Sequence, residues 1–219
     1  MKENILVVFD KDGTLTRTKS GATFAKSPED QEPLFDFNLP SWYSVLGKEP
    51  RNMPNSSHPA YPDGAWFTYA IATNQKGISM RHKSEDFFAE EIAYLKWELN
   101  FPADAILACP DEGDNLLTMQ IQPAFAPRNN LVFDCFSEKH TDHFGIPKKL
   151  RGTFRKPQPG MLLAMEYFLS WQSNTPISFD QRIFIGDRDT DRLAAEQAGF
   201  NYWDIQEWLK AQSEGYRRV

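Results

Sequence analysis

The chain has 219 residues, 24 of them Lys or Arg and 30 Asp or Glu, for a formal charge of −6. A hydrophobic content of 41% excludes the disordered class, the length suits one domain that buries its core without staples, and two cysteines exclude a disulfide-dense scaffold. Net acidity argues against a protein that coats polyanions over its whole surface, and 15 prolines against 12 glycines foretell long irregular connections.

Residues 5–9 form an unbroken apolar run, the sign of a strand buried on both faces. The run is too short for a signal-peptide core and ends at Asp10. No stretch approaches the ~20 apolar residues of a transmembrane helix, so a cytoplasmic protein without a membrane partner is expected. Further strands are predicted over 65–72, 105–109, 182–185 and 200–203. Ser84 can cap a helix reaching about residue 100, with Phe88, Ile92, Leu95 and Leu99 along one face. Pro159 opens a second helix carrying Met161, Leu162, Met165 and Leu169. A third covers 190–198 and stops at Gly199, and a fourth covers 205–211. Strands alternating with helices argue for a parallel sheet in an α/β fold. Residues 40–62, with five prolines, and 110–155, with weak periodicity, read as irregular, apart from a short helix near 42–46.

Chemistry gathers at the strand ends. The first strand runs into Asp10-Lys11-Asp12-Gly13-Thr14, which places two carboxylates on one side of an extended chain. Gly13 permits a tight turn whose N–H groups can face an anion. One carboxylate can attack while the other manages protons. A solvated strand end with a turn is the plainer reading of that segment alone. The second strand ends in Thr73-Asn74-Gln75, whose hydroxyl and amide can donate to a phosphate oxygen, although such residues are common in turns. Lys156 precedes Pro157-Gln158-Pro159-Gly160, so the prolines would hold its ammonium at a helix entrance, where it suits a phosphoryl group. Taken alone it reads as a solvated loop lysine. The fourth strand ends in Gly186-Asp187-Arg188-Asp189-Thr190-Asp191, oxygen ligands suited to Mg²⁺ or caps for the next helix. What gives these segments weight is their common place at the carboxyl ends of strands, where open α/β sheets bind ligands.

Taken in order, DKDGT at 10–14, TNQ at 73–75, Lys156 before PQPG and GDRDTD at 186–191 resemble the haloacid dehalogenase (HAD) superfamily of phosphohydrolases. TNQKGI and RKPQPGM look like its capless subgroup, which includes histidinol phosphatase, heptose bisphosphate phosphatase and polynucleotide kinase 3′-phosphatase. The resemblance implies a Rossmann-like α/β fold, a central parallel sheet flanked by helices with no large cap domain. It also implies one domain over 1–219 with irregular insertions near 40–64 and 110–155. Asp10 would be the nucleophile and Asp12 the acid and base. Thr73 and Lys156, with Asn74, would bind the phosphoryl oxygens. Asp187 would ligate Mg²⁺ with Asp10 and the backbone carbonyl of Asp12, and Asp191 would support the metal. Thr18-Lys19-Ser20-Gly21 and Phe24 look like the polynucleotide 3′-phosphatase branch. Cys109, Cys135, His140 and His143 are chemically able to bind zinc, but their spacing departs from the zinc loop of the heptose branch. Cys109 reads better as a buried strand end and the histidines as surface residues.

Charge bears on the substrate. Residues 13–28, 73–83 and 144–160 hold 11 of the 24 basic residues and no acid, and each segment follows or contains a motif. A positive mouth on an acidic body suits an anion extending past one phosphate, with Lys19, Arg155 and Arg188 as candidate contacts. Any phosphatase mouth is also expected to be basic. Trp42, Tyr43, Tyr61, Trp66 and Phe67 could stack a terminal base, although core packing is the commoner use. The expectation is therefore a Mg²⁺-dependent phosphomonoesterase acting on a polynucleotide 3′-phosphate end. A phosphatase of a small metabolite (histidinol phosphate or a sugar phosphate) is the alternative, and a non-catalytic nucleic-acid-end binding module a third.

Overall fold

Apolar runs become the strands of one sheet in the computed structural model, which describes residues 3–37, 66–120, 133–136 and 144–213. Strand β1 (Asn4–Phe9) is buried on both faces and lies at the centre. A short antiparallel ribbon, β2 (Thr16–Thr18) and β3 (Gln31–Pro33), follows. The chain continues through β4 (Trp66–Asn74), helix α1 (Glu85–Trp97), β5 (Ala105–Cys109), β6 (Leu116–Gln120) and β7 (Phe133–Phe136). A 3₁₀ turn at Lys148–Leu150 leads to α2 (Gly160–Gln172), β8 (Gln181–Gly186), α3 (Asp189–Ala198), β9 (Asn201–Asp204) and α4 (Ile205–Ser213).

The sheet runs β7-β6-β5-β4-β1-β8-β9. From β5 to β9 all neighbours are parallel, whereas β6 and β7 add as an antiparallel edge. Part of the stretch from 110 to 155 therefore forms strands where irregular chain was expected. The strands are short, and LLTMQ and FDCF alternate too weakly to stand out. The short helix expected near 42–46 and the Pro-rich stretch around it lie outside the described residues.

Pleat alternation sorts the core into two layers. Ile5, Val7 and Phe9 face Phe88, Ile92, Leu95, Ile205 and Trp208, so α1 and α4 cover one face. Leu6 and Val8 share the other with Met161, Leu162, Met165, Phe168 and Ala194, from α2 and α3. Each such large side chain contributes about 1.5–3 kcal/mol by leaving water. Ser84 caps α1, its hydroxyl accepting from the Phe87 N–H at 3.0 Å, and left-handed Gly199 ends α3. Leu99, expected on the apolar face of α1, lies past the helix end but still packs on the core.

The chain builds from β1 to β4 and β5 on one side, then returns to β8 and β9 on the other. The order thus reverses between β1 and β8, a switch point where open sheets leave a crevice. Register aligns Phe9 with Ile71 and Ile185, so the ends of β1, β4 and β8 open on one rim. Among the described residues no helix is long and apolar enough to cross a membrane.

Candidate active site

Asp10 still belongs to the sheet, donating its N–H to the Ile185 carbonyl at 2.9 Å, and its buried carboxylate faces the crevice. The ammonium of Lys156 lies 2.7 Å from Asp10 Oδ1 and 2.6 Å from Asp191 Oδ1, and donates to the Ala72 carbonyl at 3.1 Å. It also lies 5.1 Å from the Phe184 ring centroid. Asn74 fixes the lysine backbone from both sides. Its Oδ1 accepts from the Lys156 N–H at 3.0 Å and its Nδ2 donates to the Lys156 carbonyl at 3.1 Å. Asn74, expected to touch phosphate, thus spends its amide placing Lys156. Thr73 is buried at the same strand end and lines the cavity.

Burial pushes the Asp10 carboxyl up, Lys156 opposes it and Asp191 adds to it, and the group settles at about 6. Burial works against the Lys156 ammonium, but Asp10 and Asp191 outweigh it and raise its value. Asp187 is also raised, chiefly by burial.

Asp10, Asp187 and Asp191 offer carboxylate oxygens that all lie within 4.8 Å of one another. Three carboxylates against one ammonium leave an excess of two negative charges, the deficit a divalent cation fills, and an all-oxygen donor set suits a hard ion such as Mg²⁺. Gly13 leaves the room. Its φ is +94°, and a Cβ there would lie 2.3 Å from Asp187 Oδ2. Thr14 Oγ1 donates to Asp187 Oδ1 at 3.4 Å. Asp191 gives its second oxygen to the Arg188 N–H at 3.2 Å, so it braces both Lys156 and the start of α3. The N–H groups of Gly13 and Thr14, expected to face an anion, close the turn on Thr16 and Lys11 carbonyls.

The Asp12 carboxylate stands outside that cluster. Its Oδ1 accepts from Lys11 Nζ at 2.7 Å and its Oδ2 from Gln75 Nε2 at 2.8 Å. Burial would raise its carboxyl, but the Lys11 and Lys83 charges and these two hydrogen bonds bring it down to about 2. Lys11 and Gln75 stand inside the motifs without a side-chain role of their own there, and Glu91 lies outside them. One signal was present for Glu91: it falls within the Phe88, Ile92, Leu95 stripe and is buried with it.

A cavity of about 480 Å³ opens above these groups. The loop joining β2 to β3 forms one wall and is tied by Asp30, which accepts from the N–H groups of Ser20 at 2.8 Å and Lys26 at 3.0 Å. This loop carries Phe24, whose ring stacks on His82 at 5.2 Å while 44% of the residue stays exposed. Lys76, Arg155 and Arg188 bring positive charge to the cavity, and Glu112 pairs with Lys76 and with Arg155. Lys19 falls outside the lining, its ammonium donating to the Glu29 carbonyl at 2.6 Å and lying over Tyr94. Phe67 is in the core rather than at the mouth. Trp42, Tyr43 and Tyr61, and the side chain of Trp66, are outside the described residues.

For the zinc candidates, Cys109 is a free, buried strand end whose thiol, pushed up to about 12 chiefly by burial, contacts Asp111. The side chain of Cys135, and all of His140 and His143, are outside the described residues.

The family model of polynucleotide kinase 3 phosphatase matches residues 5–210. A D,D-heptose 1,7-bisphosphate phosphatase from B. bronchiseptica, crystallised with magnesium and phosphate, is 18% identical with a TM-score of 0.49, over 96% of this chain and 86% of its own. A HAD-like phosphatase from Mesorhizobium loti is 17% identical with a TM-score of 0.51, over 100% of this chain and 90% of its own. No curated protein matches the chain. The chain has the HAD-like fold, it is a phosphoric monoester hydrolase, and it belongs to the polynucleotide kinase 3 phosphatase family.

Proposed function

We propose that this phosphatase hydrolyses 3′-phosphate ends of polynucleotides with Mg²⁺, through an aspartyl-phosphate on Asp10. The observation that carries the reading is the reach of the cavity. It runs from Asp10 and Lys156 out to the half-exposed Phe24 on His82, past Lys76, Arg155 and Arg188. An aromatic face beside cations suits a terminal base and the phosphate behind it. The family match supports the same substrate class.

In the first step an Asp10 oxygen bonds to phosphorus as the ester P–O bond breaks. The dianionic phosphoryl group, arriving against Asp12, favours its protonated form, and Asp12 then gives that proton to the leaving oxygen. In the second step water attacks the aspartyl-phosphate, Asp12 takes its proton, and inorganic phosphate leaves with Asp10 restored. Thr73 and Lys156 hold the phosphoryl oxygens, and Asn74 keeps Lys156 in place. Asp10, Asp187 and the Asp12 carbonyl, with Asp191 in support, would hold Mg²⁺, which would supply the positive charge that lets a dianion approach a carboxylate.

A second reading has one observation in its favour: about 480 Å³ also encloses a whole small sugar phosphate. The test offers the protein and Mg²⁺ a 3′-phosphorylated oligonucleotide, histidinol phosphate and a sugar phosphate panel, with Asp10→Asn as control. Preferred turnover of the oligonucleotide, with a KM that climbs steeply with salt, is the expected result. Turnover confined to small metabolites would overturn the nucleic-acid reading. A non-catalytic binding module is set aside by membership in a phosphatase family.

A further inference from the structure

Beneath Asp12 lies a set of charges that the phosphoryl chemistry above does not use. Lys11 sits between Asp10 and Asp12, and strand alternation sends its side chain away from the metal side. It is 1% exposed, as large and polar a group as the core contains. Its ammonium reaches Asp12 Oδ1 at 2.7 Å and Glu91 Oε1 at 3.3 Å. Glu91, on α1 and 2% exposed, accepts from Lys83 Nζ at 2.6 Å on its other oxygen. The Glu91 backbone carbonyl accepts from Gln31 Nε2 at 3.0 Å, which joins the β2–β3 ribbon to the same point. Gln75 then ties Asp12 Oδ2 to Thr73 Oγ1, at 2.8 and 3.0 Å.

Fastening α1 to the sheet does not require this arrangement. Apolar residues of similar volume hold such a contact at least as well as buried ion pairs do. Buried pairs do impose a fixed geometry, and here the fixed object is the Asp12 carboxyl, gripped at both oxygens while its side chain remains 49% exposed toward the cavity.

Resting on the role read above for Asp12, we propose that the buried Lys11–Glu91 pair positions that carboxyl for proton transfer to the leaving oxygen, and so sets the enzyme's capacity for esters of alkyl alcohols such as sugar hydroxyls. Lys11 keeps its proton throughout. The proton moves from Asp12 to the ester oxygen as the P–O bond breaks and the Asp10 oxygen–phosphorus bond forms. An alkoxide leaves slowly without that proton, whereas a nitrophenolate leaves without help. In this first step, loss of positioning therefore costs alkyl esters and spares activated aryl esters.

The experiment compares wild type, Lys11→Met, Glu91→Gln and Asp12→Asn on p-nitrophenyl phosphate and on the best alkyl phosphate of the substrate panel. For Lys11→Met, kcat/KM on the alkyl ester should fall at least about thirtyfold, a part of the ~10²–10⁴ that a general acid supplies in full. Its kcat/KM on p-nitrophenyl phosphate should fall less than about threefold; kcat/KM reports only the step that releases the alcohol, so the shared hydrolysis of the aspartyl-phosphate does not enter the comparison. Glu91→Gln keeps the volume, the backbone contact to Gln31 and one of the two lysine hydrogen bonds, so it disturbs packing less than Lys11→Met and should show the same selectivity in weaker form. Equal losses of kcat/KM on both esters in these two variants, beside an Asp12→Asn selective by the same measure, would overturn the positioning role alone. An Asp12→Asn whose kcat/KM falls equally on both esters would overturn the acid role and this inference with it.

Discussion

Replacing Lys156 by Met tests the electrostatics of the site. Its ammonium is 2% exposed and lies 2.7 and 2.6 Å from carboxylates on Asp10 and Asp191. Removing one partner from a buried ion pair costs about 3–5 kcal/mol, because the remaining charge is stranded without water or counterion. In a chain of this size each kcal/mol lowers Tm by about 2–4 °C, so the metal-free variant should melt roughly 6–20 °C below wild type. The deficit should depend on pH. Asp10 already titrates at about 6 in the folded state, and losing Lys156 moves it higher. A protonated carboxyl pays no penalty, so the deficit is small at low pH and grows as pH rises through that value. Melting in EDTA at about pH 5 and about pH 8 reads both effects, and added Mg²⁺ should recover part of the loss by replacing the missing charge. Activity should fall about 10²–10³-fold, the cost of removing one fixed electrostatic contact to the transition state. A deficit under about 3 °C at the higher pH, or an equal deficit at both, would refute the reasoning.

Gly13→Ala should cut Mg²⁺ affinity at least about tenfold, since the new Cβ would press on Asp187 and the backbone would be strained. Unchanged affinity in a metal titration would show that Asp187 does not hold the ion. Magnesium affinity in the wild type should weaken as pH falls through about 6, and binding there should release protons, because burial raises the Asp10 carboxyl and the metal must displace its proton. Calorimetry in two buffers of different ionisation enthalpy checks this, and a pH-independent affinity contradicts it. Glu112→Gln frees Lys76 and Arg155, so KM for a 3′-phosphorylated oligonucleotide should drop about two- to fivefold while that for a small aryl phosphate stays put. A parallel drop on both would place the pair outside substrate recognition.

Four of the five parallel strands were legible because both-face burial writes an apolar run, and three of them, β1, β4 and β8, end where chemistry-bearing residues begin; edge strand β9 showed only as the short stretch 200–203. Asp10, Thr73, Lys156 and Asp187 became candidates from those segments taken together and from the resemblance they carry, and the structure brings them together. Strands β2, β3, β6 and β7 escaped because TRT and QEP are polar and three residues long, and LLTMQ and FDCF lack a clean alternation. Asn74 was readable as a site residue but not as the clamp on the Lys156 backbone, since the two are 82 positions apart. The Lys11–Glu91 contact spans 80 positions. A Glu in an apolar helical stripe and a Lys inside a strand-end motif are each unremarkable, and tertiary packing alone pairs them. Phe24 was visible as part of a motif, whereas its partner His82 came from a different segment and carried no pattern of its own.

The claim at the centre is that Asp10 carries the phosphoryl group. Wild-type protein should be mixed with substrate and Mg²⁺, quenched in acid within one turnover, reduced with borohydride and mapped by mass spectrometry. An aspartyl-phosphate at Asp10 is reduced to homoserine, so homoserine at position 10, dependent on substrate and absent without it, is the predicted result. Turnover with no homoserine at position 10, or a phosphorylated residue elsewhere, would contradict the account.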